Sequence, residues 1–443
     1  MTMIGKTNFS FLLKNSLTKV TLAGFVLWIL FFFLVPLTVK KHVGWMPVFY
    51  LLINYFVFIL GLNIIPSVKK ENRDTYKVNK NTLRKFLYII ILIAVIGFFF
   101  KVLDKFYIRG ASFSNSISLN RIILEKSGSS IVSIIAALLN PFSFLPLFIY
   151  YYLGIKNRLL LIFCYFLFFS TAFEFIMLGS RAGLFVMILL LLIYLRYFKK
   201  LKISLTRVFV VSLIMIFVMI FSVQLFIERT KDFAKTDKVA VEHILTRSGY
   251  NFTVEPTKEA KHKIINTKNK TVQAFRLGLM NFGQYYLHGV FEFGYLYNNY
   301  KKNYWYGGYT FNIFAKFINI VFRTNINLKK IQQSPPRTGV YTTFFGPIFI
   351  DFGWFSVVFI FFFGVFQKLI YNKIVQGRFQ FIPLLFYLLI INFFMPVFNF
   401  INGAQGLYNL ISFGFFVLIY ILLTGKLKIS TKDGLISYVK ILK

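Results

Sequence analysis

Ten long apolar runs decide what this chain can fold into. They fall at about 18–39, 46–67, 86–100, 131–153, 159–178, 182–198, 205–227, 352–370, 380–398 and 407–424. A bilayer core of roughly 30 Å takes about 20 apolar residues in a helix, and a helix satisfies its own backbone groups where no water can. The run at 86–100 is the shortest and weakest. The expected fold class is an all-α polytopic integral membrane protein with about ten transmembrane helices (range 10–12). One long connection sets the expected division into 1–227, 228–343 and 344–443.

Charge gives the expected orientation. Only 15% of the 443 residues are charged while 57% are hydrophobic, against about a quarter charged in soluble domains. The formal net charge of +37 is interrupted by spans, so it reads as loops that meet anionic lipid or an anionic substrate. It does not read as a nucleic-acid face. Alternate short connections carry the Lys/Arg excess: Lys69 to Lys85, then Lys156 and Arg158, then Arg196 to Arg207, then Lys368, Lys373 and Arg378. The positive-inside rule places these, and both termini, in the cytoplasm. Arg181 and the 228–343 segment then face out. Cys164 stands alone inside an apolar run, which leaves no intrachain disulfide and suggests no metal cluster. The first run ends FFFLVPLTVKK without a small-x-small cleavage site and reads as a retained helix.

The outer segment has two characters. Glu228 to Thr271 is polar and reads as a solvated excursion. VQAFRLGLMNFGQYYLHGVFEF and YTFNIFAKFINIVF, further on, have apolar residues at helical spacing interrupted by charges. They are expected to be amphipathic helices on, or dipping into, the outer membrane surface. One further pair of transmembrane helices is the other reading.

Candidate chemistry sits on that outer side. Gly179, Ser180 and Arg181 alone separate two apolar runs, and Glu174 lies seven residues before Arg181, on the same face of a continuing helix. An ionisable pair at such depth is a functional-site candidate, or else a charged helix end paired with a structural Glu. Further outer arginines are Arg229, Arg247, Arg276, Arg323 and Arg337, whose guanidinium forks suit phosphate oxygens. His288 and Glu292 are four apart, so one can orient the other on a helix. Asp351 is a candidate base or a solvated cap on a helix starting at Phe352. There is no phosphate-binding Gly-rich loop, no His-Glu-x-x-His and no Asp-x-Asp. Asn251-Phe-Thr253 matches a glycosylation sequon of the kind a Lys/Asn-rich chain shows by chance.

Gly179-Ser180-Arg181, the Tyr285-Tyr286 pair in a long outer loop, and the run from Gly339-Val-Tyr-Thr to Asp351-Phe-Gly resemble the oligosaccharide repeat-unit polymerases, the Wzy-type O-antigen polymerases of Gram-negative bacteria. The resemblance covers about 159–370. It implies a glycosyltransferase of the bacterial inner membrane with a periplasmic active site. It would move a growing glycan from undecaprenyl pyrophosphate onto a new lipid-linked repeat unit, with no cofactor and no metal. The partners implied are undecaprenyl-pyrophosphate-linked repeat units, membrane lipid and a chain-length regulator protein, and no nucleic acid. In this reading Arg181, Arg276 and Arg337 stabilise charge on the departing pyrophosphate. One of His288, Glu292 and Asp351 accepts the acceptor hydroxyl proton. Gly179, Ser180, Glu174, Tyr285, Tyr286, Arg323 and Tyr341 would bind substrate. Two other functions share the outline: an O-antigen ligase, and a repeat-unit flippase, which is expected to show more spans in related halves.

Overall fold

The computed structural model describes residues 16–68, 80–115, 117–127, 130–177, 181–198, 236–402, 404–424, 426–430 and 436–440, with parts of 213–230. In chain order the elements are α1 (Ser16–Leu34), β1 (Leu37–Val39), α2 (Trp45–Ile64), α3 (Lys80–Val102), α4 (Ile117–Lys126), α5 (Ile131–Leu139), α6 (Leu145–Leu153), α7 (Arg158–Met177) and α8 (Arg181–Tyr197). After the apolar helix Met219–Glu228 come α9 (Asp237–Thr246), β2 (Val254–Pro256), α10 (Lys258–Ile265), α11 (Lys270–Asn299), α12 (Asn312–Phe322) and α13 (Leu328–Gln332). The chain continues through α14 (Phe345–Phe352), α15 (Ser356–Val375), α16 (Ile382–Phe393) and α17 (Ala404–Thr424) to a hairpin, β3 (Lys426–Ser430) and β4 (Ile436–Lys440).

The architecture is that of a helical membrane protein. Among the described residues six helical segments are long and apolar enough to cross a bilayer: Ser16–Leu34, Trp45–Ile64, Lys80–Ile108, Ile131–Leu153, Phe345–Val375 and Gly406–Thr424. Four shorter apolar helices, Arg158–Phe173, Gly183–Tyr197, Met219–Glu228 and Phe379–Phe393, occupy the remaining runs. Length and apolarity thus mark six helices able to cross a bilayer, and the count of ten goes beyond them. The run at 86–100, weakest by sequence, lies in one of the longest segments. Its helix begins in the polar residues from Lys80 and ends in a π-helical turn, Leu103–Ile108. Apolar side chains such as Phe33, Phe56, Leu92, Leu159 and Phe362 stand exposed along these helices, a surface suited to lipid tails.

Two compact units make up the chain, one of Met1–Pro66, Lys202–Leu369 and Leu388–Leu407, the other of Ser67–Leu201, Ile370–Tyr387 and Tyr408–Lys443. In the second unit α3 packs against α5 and α6, and a Cβ on Gly97 would overlap the Leu139 backbone. In the first unit α2 and α15 cross with Gly61 against the Phe361 carbonyl and Gly364 against the Phe58 carbonyl. Small residues on both helices let backbones approach in this way, which maximises van der Waals contact where no hydrophobic drive exists between helices. Gln367 and Asn392 then lock α15 to α16 through a reciprocal amide pair at 3.0 and 2.8 Å.

The segment from Thr236 onward is folded. Thr236 caps α9 and Thr257 caps α10 through their hydroxyls. Val241, Ile244, Leu245 and Ile264 from these helices bury against Ala274, Leu277 and Met280 of α11. The polar composition hid a small apolar core, so the solvated excursion is corrected. Strand β2 pairs antiparallel with β1, Val39 opposite Val254, so two short strand pairs accompany the helices. Helix α11 is also corrected: from Gly283 to Leu296 it is buried inside the protein on nearly every side, and so lacks the open apolar face of a surface helix. Of the two expected amphipathic helices, only α12 keeps an open apolar side.

Candidate functional site

Helix α11 presents Tyr285, His288, Glu292 and Tyr295 at helical spacing as one stripe. Two other segments of the same unit close on it. The first is the turn Gly249–Phe252 with Thr253, and the second is the stretch from Arg337 to Thr343.

The turn owes its place to hydrogen bonds made at both ends. Asn251 donates to the Leu245 and Thr246 carbonyls at 2.8 and 3.0 Å, ending α9, and accepts from Gln284 Nε2 at 2.7 Å. Gln284 also donates to the Val254 carbonyl at 2.8 Å. Residues beyond β1 add to the tie, since the Lys40 and Lys41 amides both donate to the Thr253 carbonyl. Asn251 is buried, so its sequon has a structural explanation.

Glu292 is 1% exposed on its side chain and has both oxygens engaged. Thr253 Oγ1 donates to Oε1 at 3.0 Å and Arg337 Nε to Oε2 at 3.1 Å. Burial pushes this carboxyl up, partly offset by Arg337 and Thr253. Arg337 also donates through Nη2 to the Gly249 carbonyl at 2.6 Å and lies over the Phe252 ring, Cζ 4.0 Å from its centroid. Its side chain keeps 22% of its surface, so guanidinium donors remain for a ligand. Lys41 Nζ stands 5.6 Å from the centroid of the same Phe252 ring. Lys40 and Lys261 pair with Glu255 at 2.9 and 3.0 Å. Burial raises the Glu255 carboxyl, and the two lysines more than offset that, leaving it lowered. The rim is therefore cationic.

His288 is fully buried. Its Nδ1 lies 3.1 Å from the Gln284 carbonyl, which can only accept, so Nδ1 carries the proton. Nε2 is then an acceptor, and it has no partner among the described residues. Burial pushes the imidazole down to about 4, against the Gln284 and Tyr285 carbonyls and with help from the charge of Arg337. The ring is neutral at pH 7. Tyr250 lies over it with centroids 4.0 Å apart, and Tyr285 and Tyr341 stand at 5.9 Å. Phe398 closes the aromatic wall, 5.1 Å from Tyr341.

Beneath the ring the backbones meet closely. A Cβ on Gly289 would overlap the Val397 carbonyl oxygen. Thr343 sits at φ +63° and bridges Phe398, and the Phe344 amide donates to the Met395 carbonyl at 2.8 Å. A left-handed threonine is costly and persists only where its surroundings over-determine it.

Of the sequence candidates, the structure brings together His288, Glu292, Arg337, Tyr285 and Tyr341. It takes others elsewhere. Tyr286, one residue on and so about 100° around the helix, is buried against Phe31, Phe282 and Phe394. Arg276 donates to Thr267 Oγ1 at 2.8 Å, about 18 Å along α11 from His288. Arg323 ends α12 in the left-handed region at φ +50°. Asp351 is fully buried near the end of α14 and is no solvated cap. Its two oxygens accept from the Tyr309 and Thr310 amides at 2.8 and 2.7 Å, which holds the loop leading into α12. Gly179 and Ser180 lie outside the described residues, as do the side chains of Glu174 and Arg181. Helices α7 and α8, which carry the latter two, belong to the second unit.

Sequence reasoning missed Tyr250, Phe252, Thr253 and Gln284. The one available signal was the aromatic-polar string Tyr250-Asn-Phe-Thr253, set apart in an otherwise charged stretch. No protein-family model, no curated protein and no solved structure matches this chain.

Proposed function

We propose that this protein is a glycosyltransferase that polymerises lipid-linked oligosaccharide repeat units at the periplasmic face of the bacterial inner membrane. The observation that carries this reading is a neutral, buried His288 whose accepting Nε2 has no partner among the described residues, set in a box of tyrosines beside the partly exposed Arg337. Tyrosine rings suit the faces of sugars, and a guanidinium suits pyrophosphate oxygens. In the proposed step, a hydroxyl of the incoming repeat unit attacks C1 of the donor's reducing-end sugar. The C1–oxygen bond breaks, and undecaprenyl pyrophosphate leaves with the electron pair. The hydroxyl proton passes to His288 Nε2. The low proton affinity of His288 suits a late transfer, when the bonding hydroxyl has become acidic, and keeps the ring unprotonated between turnovers.

Arg337 is assigned the growing charge on the leaving group, held in place by Glu292. Glu292 is a positioning residue, since both its oxygens are already engaged.

The test is deletion of the gene followed by lipopolysaccharide electrophoresis and complementation. Core carrying a single repeat unit, restored to long chains by the wild-type gene, supports polymerisation. Bare core would favour ligase or flippase, and unchanged long chains would remove the reading.

A further inference from the structure

Helix α12 turns its apolar side outward. Phe314, Phe317, Ile318, Val321 and Phe322 are between 38% and 69% exposed. They follow the i, i+3, i+4, i+7, i+8 pattern of a single helix face. Ile313 and Ala315 flank that face and are buried, and Lys316 lies opposite it. At 11 residues the helix is about 16 Å long, half of what a crossing needs.

Three features say what covers this face. The first is position. Phe311 packs on Phe359 of α15 at 5.9 Å, and Phe355 and Phe362 of that span are exposed apolar residues. The open face of α12 therefore adjoins a helix suited to lipid. The second is aromatic: Trp45 at the start of α2 and Trp354 just before α15 stand exposed, as does Tyr306, whose amide donates to the Asp351 carbonyl. Such rings settle at the level of the headgroups. The third is charge. Residues 293–350 hold Lys301, Lys302, Lys316, Arg323, Lys329, Lys330 and Arg337 with no Asp or Glu.

The helix is also rigidly mounted. Asp351 holds the Tyr309 and Thr310 amides before its start. Past its middle, Asn319 donates to the Ile326 carbonyl and accepts from the Ile326 amide and the Thr324 hydroxyl, at 2.7 to 3.0 Å. That closes the turn through Arg323.

We propose that α12 is an in-plane interfacial helix, its Phe314–Phe322 face in the acyl region and Arg323, Lys329 and Lys330 on the phosphates of anionic lipid headgroups. The proposal does not depend on the reaction assigned above.

The experiment uses the full chain, in a Cys164→Ser background, reconstituted into vesicles. Spin labels are placed at Phe317→Cys, Val321→Cys and Lys316→Cys, and collision with oxygen is compared with collision with a water-soluble nickel chelate. Labels at 317 and 321 are expected to favour oxygen over nickel, and the label at 316 to favour it less. Exchanging phosphatidylcholine for a phosphatidylglycerol–phosphatidylethanolamine mixture should deepen the 317 label. The triple change Arg323→Gln, Lys329→Gln, Lys330→Gln should abolish that dependence on composition while leaving oxygen preference in place. Nickel-dominated labels at 317 and 321 would overturn the proposal. Labels shielded from both reagents would overturn it in favour of a protein partner. A 317 label indifferent to lipid charge would remove the anionic-headgroup assignment.

Discussion

Arg337 Nε donates to Glu292 Oε2 at 3.1 Å, across 45 residues of sequence. The carboxylate is buried while the guanidinium keeps an exposed edge, so the pair is asymmetric. Glu292 is structural support, and Arg337 is the member that can meet a ligand.

Arg337→Lys keeps the charge but loses the fork that reaches Glu292, the Gly249 carbonyl and the Phe252 face together. Removing an aligned charge-stabilising donor costs about 2.7–4 kcal/mol, or roughly a hundred- to a thousandfold in rate. Under the proposed polymerisation, membranes with this variant should make mostly single-repeat product at normal protein level. Long chains from well-expressed Arg337→Lys protein would return the residue to a purely structural role.

His288 makes stability depend on pH. Its folded value, about 4, lies below the unfolded 6.5. The unfolded state therefore binds the proton first, and stability is complete above 6.5 and lost as pH falls toward 4. The full loss is roughly 3 kcal/mol. Glu292, pushed up by burial, acts in the opposite sense, because its folded form holds a proton longer as pH rises. Thermal unfolding in detergent from pH 7 to pH 4 should show a falling midpoint, and His288→Phe should flatten that fall. An unchanged pH slope in His288→Phe would mean the imidazole takes up its proton at the same pH in the folded and unfolded protein.

Asp351→Asn should loosen a loop before it changes any chemistry. An amide in place of the carboxylate presents a donor to the Tyr309 or Thr310 amide, and hydrogen bonds to a charged group contribute about 1.5–3 kcal/mol. Hydrogen exchange at Tyr309 and Thr310 should accelerate by one to two orders of magnitude (about 1.4 kcal/mol per tenfold). Full protection at these amides together with lost activity would make Asp351 a chemical participant.

Gly289→Ala tests the close approach beneath His288. The new methyl would overlap the Val397 carbonyl, a backbone atom with no rotamer to give way. Overpacking of this kind costs about 1–3 kcal/mol, so a lower unfolding temperature is expected. A neutral result would show that α11 and the 397 backbone can separate freely.

The membrane helices were legible because their signal is local. A run of about 20 apolar residues carries its own length criterion, and helix hydrogen bonds are satisfied within the run. The same locality made His288 and Glu292 readable as neighbours on α11, and it marked α12 as amphipathic. Locality failed for Tyr286, where adjacency to Tyr285 in sequence meant a different face of the helix. It failed again for Asp351, whose burial depends on the 304–310 loop folding back over it.

Sequence by itself determined the apolar helices, the His288–Glu292 neighbours on α11 and the amphipathic spacing of α12, each set by spacing within one segment. Tertiary structure alone decided that β1 pairs with β2, that Thr253 and Arg337 converge on Glu292, and that Tyr250 covers His288. These contacts join segments tens to hundreds of residues apart. Such pairings follow from how whole helices and turns pack, and no periodicity within a segment encodes which distant partner will fill its buried polar groups.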